Sequence, residues 1–351
     1  MIIDKGIPIR NLYYLLAYAF DLIDRFELKE SDVEGFEGAL DLLAALLDAG
    51  VGRQLKQGLH KEYRSERDDL SSLRGKIDMQ GTMRNRFARK QLISCEFDEL
   101  TENNLFNSIL KTAMWHLLRA DGVKKSTKDS LKKELLFFSG VDLIEPSSIP
   151  WSSLRFMRRN SSYRILISIC QLILDGMLIY TDDGDVVLAL EIREEHMATL
   201  YERFLLRYFQ RHFPDLHASA RELDWAVDNG YTTLLPKMKT DVTLSYPGGI
   251  FIIDAKYYAN PLQNQDRYES SATVRSAHLY QIFAYVKNMA ARYPERTVAG
   301  MLLYAMPGEA PYVDEQYEMS GNTICVSALD LSVPFEDIAR QLDGYAQNVW
   351  R

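Results

Sequence analysis

The stretch MKTDVTLSYPGGIFIIDAKYY, residues 238–258, decides the fold. It opens with a short alternating segment, Met238 to Leu244, in which Val242 and Leu244 share one face and Thr243 takes the other. Tyr246-Pro247-Gly248-Gly249 follows, a turn signal because proline fixes φ and glycine supplies positive φ. Ile250-Phe251-Ile252-Ile253 is then a continuous apolar run suited to a strand covered on both faces. That run ends abruptly in Asp254-Ala255-Lys256. A carboxylate and an ammonium at the exit of a core strand are costly to desolvate unless they are paired or hold a metal.

Two-residue periodicity puts Asp254 and Lys256 on one face of their strand, and the hairpin returns Asp241 beside them. Two carboxylates, a lysine and the Ala255 carbonyl then share a small volume. Hard divalent cations such as Mg²⁺ (or Mn²⁺) take oxygen donors of this sort and keep several waters. A metal-bound water loses its proton more easily, and a neighbouring lysine orients it or stabilises charge developing on a phosphate. That set suits phosphodiester hydrolysis. A structural Asp–Lys ion pair at a strand end has the same local pattern, so the flanking elements bear on the choice.

Those elements resemble the PD-(D/E)XK nuclease superfamily, whose core is a helix, a three-stranded meander, a second helix and a further strand. Glu191 to Phe213 would be the first helix, with strands near Leu223–Ala226, Lys237–Leu244 and Ile250–Tyr257. Ser276 to Arg292 would be the second helix and Val298–Met306 the strand after it. Thr240 stands before Asp241 where the superfamily pattern has proline. Gln281 and Tyr285 lie one helical turn apart and share a face. They resemble the QxxxY element of the RecB-like branch, which implies contact with DNA or support of the site. Ordinary helix-surface polarity would give the same pair. Glu202 sits where the superfamily's first helix often supplies a third metal-binding acid, and it reads equally as a solvated helix glutamate.

Composition sets the outer bounds. The 351 residues are enough for two or three domains, and 47% hydrophobic with 26% charged residues is ordinary for a folded protein. A net charge of -8 argues against coating DNA by bulk electrostatics, but local basic patches carry phosphate contacts. Cys95, Cys170 and Cys325 form no CxxC pair and the six histidines show no zinc spacing. The opening Met1-Ile2-Ile3-Asp4-Lys5 lacks a secretory pattern, and no uncharged apolar stretch would span a bilayer. The expectation is a cytoplasmic protein with no membrane partner.

At the other end, IPIRNLYYLLAYAF, residues 7–20, reads as an extended lead-in and an aromatic helix, with Asn11 as a candidate N-cap. As a sequence it is similar to the opening of the McrC family, the nuclease subunits of GTP-dependent McrBC systems that restrict DNA containing modified cytosine. Leu73-Arg74-Gly75-Lys76-Ile77-Asp78 resembles that family's central glycine-basic-acidic segment, and Glu96 to Leu105 resembles the segment after it. The resemblance covers essentially the whole chain. It implies an α/β protein with a mixed N-terminal partner-binding region, 1–185, followed by a PD-(D/E)XK restriction-endonuclease-like core, 186–351.

The resemblance also implies a partner. No GxxxxGK[ST] loop occurs, so GTP would be bound by a separate McrB-type AAA+ hexamer and not by this chain. The N-terminal region would dock to that ring and stimulate GTP hydrolysis, with Arg74 and Lys76 as candidate contacts or, equally, members of surface salt bridges. Double-stranded DNA containing modified cytosine would be the substrate, the modified base being read by the partner. Two alternatives stay open: a non-cleaving activator of the ring, and a stand-alone RecB-like repair nuclease.

Between these landmarks, Phe36 to Ala49 carries leucines at helical spacing, with Gly50 and Gly52 as the expected stop. Lys61 to Ser72 reads as an exposed connection or edge, and Arg84, Arg86, Arg89 and Lys90 as a basic cluster around Phe87. Tyr163 to Ile179 reads as an apolar helix and Pro334 to Trp350 as an amphipathic one.

Overall fold

The computed structural model describes residues 3–4, 6–23, 35–180, 186–257, 262–263, 273–306 and 313–348. The chain forms two compact units, Met1–Leu42 with Ala189–Arg351, and Leu43–Leu188. The expected boundary after residue 185 falls at residues 181–185, which lie outside the described residues. Helix α1 (Ile9–Ala19) thus belongs with the C-terminal elements despite its position in the chain.

The second unit draws on helix α2 (Ala39–Gln57), which continues past Gly50 and Gly52 instead of stopping there. A β-carbon at position 52 would lie 2.9 Å from Glu134 Oε1, so the glycine is used to admit a neighbour. Three antiparallel strands follow, β1 (Glu62–Leu70), β2 (Lys76–Ile77) and β3 (Ile93–Thr101), in the order β1-β3-β2. The charged run expected at an edge is β1, an exposed outer strand. Helix α3 (Met79–Phe87) starts under an Asp78 cap that accepts from the Gln80 N–H. Helices α4 (Leu105–Arg119), α5 (Lys125–Leu135) and α6 (Tyr163–Leu174) complete this unit. The buried Tyr163 hydroxyl donates to Asn107 Oδ1 at 2.6 Å and accepts from the His60 N–H. Helix α6 ends before Gly176, and Ile179 lies in a short strand, Leu178–Tyr180.

The first unit is built on α7 (Glu194–His212), a two-residue ladder of β4 (Glu222–Leu223) with β5 (Met238–Lys239), and a five-stranded mixed sheet. That sheet holds β6 (Val242–Tyr246), β7 (Gly249–Tyr257), β8 (Thr297–Met306), β9 (Asp314–Met319) and β10 (Asn322–Asp330) in the order β6-β7-β8-β10-β9. The β6–β7 and β9–β10 pairs are antiparallel, and β8 is parallel to β7 and β10. Gly248, at φ 93°, makes the β6–β7 turn that the sequence announces. The strand expected near Leu223–Ala226 is only β4, paired with β5 outside the main sheet.

Helix α8 (Ser276–Arg292) covers one face of the sheet through Ile282, Val286 and Met289, packed in one cluster with Ile250, Ile252 and Leu302. Gly300 lets it settle closely: a β-carbon there would lie 2.6 Å from Val286. Tyr257, on the other face of β7, meets Tyr201 of α7 with ring centroids 6.5 Å apart. Helix α9 (Phe335–Asn348) lies beside α1, where Phe335 stacks on Tyr14 at 4.1 Å. Asn11 is not a cap, since α1 begins at Ile9 after Pro8. Its amide instead sits buried inside the helix and donates to the carbonyls of Leu331 and Val333 at 2.8 and 2.7 Å. An asparagine after an extended lead-in resembles a cap by sequence; two distant acceptors override that local preference.

Candidate active site

The continuous apolar run in β7 delivers Asp254 to the interior. Ile250, Ile252 and Ile253 are at most 1% exposed, and Asp254 itself is 0% exposed. One step beyond the Val242–Ile253 pair, Asp241 comes level with it and accepts a 2.9 Å hydrogen bond from the Ala255 N–H. Lys256 Nζ reaches Asp254 Oδ2 at 2.7 Å, as strand alternation requires, and donates to Gln281 Oε1 at 3.0 Å. Gln281 in turn donates to the Tyr285 hydroxyl at 2.7 Å. Sheet and helix are thereby locked through one chain of polar contacts, and Asp241, Asp254, Lys256, Gln281 and Tyr285 are brought together.

Thr240 shows why this chain has no proline there. Its N–H donates to the Arg221 carbonyl at 2.9 Å, and its hydroxyl shares a 2.8 Å hydrogen bond with Thr243. Proline could make neither contact.

The electrostatics of the cluster are those of crowded acids. Burial pushes Asp254 up to about 6, against the downward pull of Lys256 and with a further upward push from Asp241. Asp241 is raised by burial, opposed by the Ala255 hydrogen bond and by Lys256 and Lys239. Glu202, on α7, is raised to about 7, first by burial and then by Asp241. It therefore feels the cluster without completing it: among the described residues no three His, Cys, Asp or Glu side chains converge as a metal-ligand group.

Asp254 Oδ1 is buried with no hydrogen-bond partner. A buried carboxylate oxygen left this way costs free energy unless something cationic completes it. Asp241 and Asp254, with the carbonyl of Ala255 directly after Asp254, fit a hard divalent cation that would draw its remaining oxygens from water and substrate.

His278 and Tyr304 escaped the sequence reading. His278 Nδ1 and the Tyr304 hydroxyl are 2.9 Å apart, and Tyr304 on β8 is the register partner of Lys256 on β7. Burial lowers His278 to about 4, with Lys256 and Arg275 adding to the effect, so the imidazole is neutral at physiological pH. His278, Gln281 and Tyr285 follow helical spacing, the one signal that could have included it.

In the second unit, Arg74 lies over the Phe97 ring at 4.0 Å and 3.8 Å from Glu99, while Lys76 sits on β2 opposite Glu96. Tyr63, Met79, Met83 and Phe87 are exposed on the same unit, Phe87 at 82%.

A mixed sheet flanked by helices, with an acid pair and a lysine at the end of its hairpin, defines a restriction-endonuclease-like α/β protein. The McrBC family model, described as the McrBC 5-methylcytosine restriction system component, matches residues 9–305. The chain belongs to this family. It is 25% identical over 342 residues, 96% of each chain, to the type IV methyl-directed restriction enzyme EcoKMcrBC of Escherichia coli (strain K12). Among solved structures it is similar to a half-complex from a tetradecameric assembly of Thermococcus gammatolerans McrB AAA+ hexamers with bound McrC. The identity there is 19% and the TM-score 0.49, over 97% of this chain and 78% of that one. A cryo-EM structure of the Thermococcus gammatolerans McrBC complex matches at 21% identity and TM-score 0.42, over 59% of each chain.

Proposed function

We propose that this chain is the McrC-type nuclease subunit of its restriction system, hydrolysing phosphodiester bonds in DNA that contains modified cytosine. The observation that carries this reading is the buried, unpartnered Asp254 oxygen beside Asp241, with Lys256 fixed between Asp254 and Gln281. A structural ion pair alone would leave the desolvation of that buried oxygen uncompensated.

Asp241, Asp254 and the Ala255 carbonyl would hold Mg²⁺ or Mn²⁺, with Glu202 as an outlying third acid. When bound, such an ion lowers the pKa of a coordinated water and neutralises phosphate charge. Lys256, kept in place by Gln281 and Tyr285, presents its ammonium to the charge that builds on the phosphate. Asp241 is oriented by the Ala255 N–H, so its free oxygen is set before substrate arrives.

GTP belongs to a separate McrB-type AAA+ hexamer in this reading. The second unit docks to that ring and stimulates its hydrolysis through the exposed surface that includes Arg74, Lys76 and the apolar side chains around Phe87. No helix of the described residues is long and apolar enough to cross a membrane.

The test is cleavage of methylcytosine-containing and unmodified plasmid with Mg²⁺ and GTP, with and without the ring, for the native chain and Asp254→Ala. The native chain should cut only methylated DNA and only with partner and GTP. Asp254→Ala should lower the rate by about 10²–10³-fold or more while GTP stimulation persists. Faster GTP hydrolysis without any cutting by the native chain would indicate an adaptor; cutting without ring or GTP would indicate a stand-alone nuclease.

A further inference from the structure

Lys239 lies in the quoted stretch but has no part in the chemistry above. Along β5 and the residues after it, Met238 is buried, Lys239 exposed and Thr240 buried. Alternation therefore puts Lys239 on the side of Asp241. Its cross-strand neighbour is Glu222, whose carboxylate lies 3.7 Å from Lys237. Lys237 also reaches Asp224. Lys239 itself makes no ion pair among the described residues, although Asp241 and Glu202 both feel its charge.

The cations at this site thus differ in commitment. Lys256 is spent on Asp254 and Gln281. Lys239 is the exposed ammonium whose charge Asp241 and Glu202 feel, in a chain whose net charge is -8. An acidic protein that takes a polyanion needs such local positive charge at the point of contact.

We propose that Lys239 is a substrate-positioning residue that grips a DNA backbone phosphate beside the acid cluster, offsetting the repulsion between that cluster and the incoming strand. The proposal rests on the nuclease reading and deepens it, by naming the group that meets the phosphate adjoining the scissile one. Lys256 would act on the reacting phosphate, and Lys239 only on binding.

The experiment is DNA binding by the full chain, read as fluorescence anisotropy of a labelled duplex with Ca²⁺ replacing Mg²⁺, over a series of salt concentrations. Lys239→Gln should weaken binding about 3- to 10-fold at low salt, and the slope of log K against log salt should fall by about 0.9, one phosphate contact. Lys239→Arg should restore both. In the cleavage assay with the ring partner, Lys239→Gln should raise KM and leave kcat within about twofold. Unchanged affinity and slope in Lys239→Gln would overturn the proposal, as would failure of Lys239→Arg to rescue, or no measurable binding by the native chain. A native chain that binds through Lys239 but never cuts would overturn the nuclease reading and leave this contact standing.

Discussion

Thr240 and Asp254 show how single positions carry the site. Thr240→Pro would install the superfamily's residue at the cost of the hydrogen bond to Arg221 and the hydroxyl contact to Thr243. We expect a loss of about 2–4 kcal/mol, read from urea unfolding. Asp254 works in the opposite direction. Its pKa in the folded metal-free chain, about 6, lies above the ordinary 3.8, so the folded form keeps a proton that the unfolded chain releases. Its contribution to stability is fullest below the ordinary value and falls as pH rises through about 6. In chelator, Asp254→Asn should therefore gain stability over the native chain progressively from about pH 4 to pH 7, measured by urea midpoints, while cleavage is lost. Asp241, Asp254 and Lys256 were legible in sequence because strand alternation and a glycine turn fix where they point. His278 was not, since one histidine on a helix carries no spacing of its own and its partner Tyr304 is 26 residues away.

Among the elements, α2 and α5 hold the clearest departure from pattern. Gly50 and Gly52 read as a helix stop, yet α2 runs to Gln57 because Gly52 faces the Glu134 carboxyl. Burial pushes Glu134 up to about 8, and the neighbouring Asp48 adds to it. The folded chain again holds a proton that the unfolded chain gives up, so stability declines as pH rises from the ordinary glutamate range through about 8. Glu134→Gln should raise the melting temperature at pH 8 and change it little at pH 5. A larger gain at pH 5 would contradict the assignment. The ends of α8 could be read from sequence to the residue, and those of α7 nearly so, because long amphipathic periodicity is a strong signal. The short β4–β5 ladder could not, because two-residue pairing leaves no period to detect.

At the scale of the whole molecule, residues 1–42 belong to the unit that carries the site. Tyr14 stacks on Phe335, Tyr18 shares a 2.8 Å hydrogen bond with His212, and Asn11 ties α1 to the segment before α9. No local pattern announces such a return, because the partners are roughly two to three hundred residues apart in the chain. A fragment of residues 189–351 should lack a cooperative melt and bind a hydrophobic dye, and joining residues 1–42 to it should restore both properties. The split also fixes an order of events during synthesis. At about 5–20 residues per second, the ribosome releases α1 long before the strands and helices it packs against, whereas residues 43–188 emerge as one uninterrupted run. The unit that carries the acid cluster is thus the last part to close: a chain still being translated can bury residues 43–188 before α1 has anything to pack against.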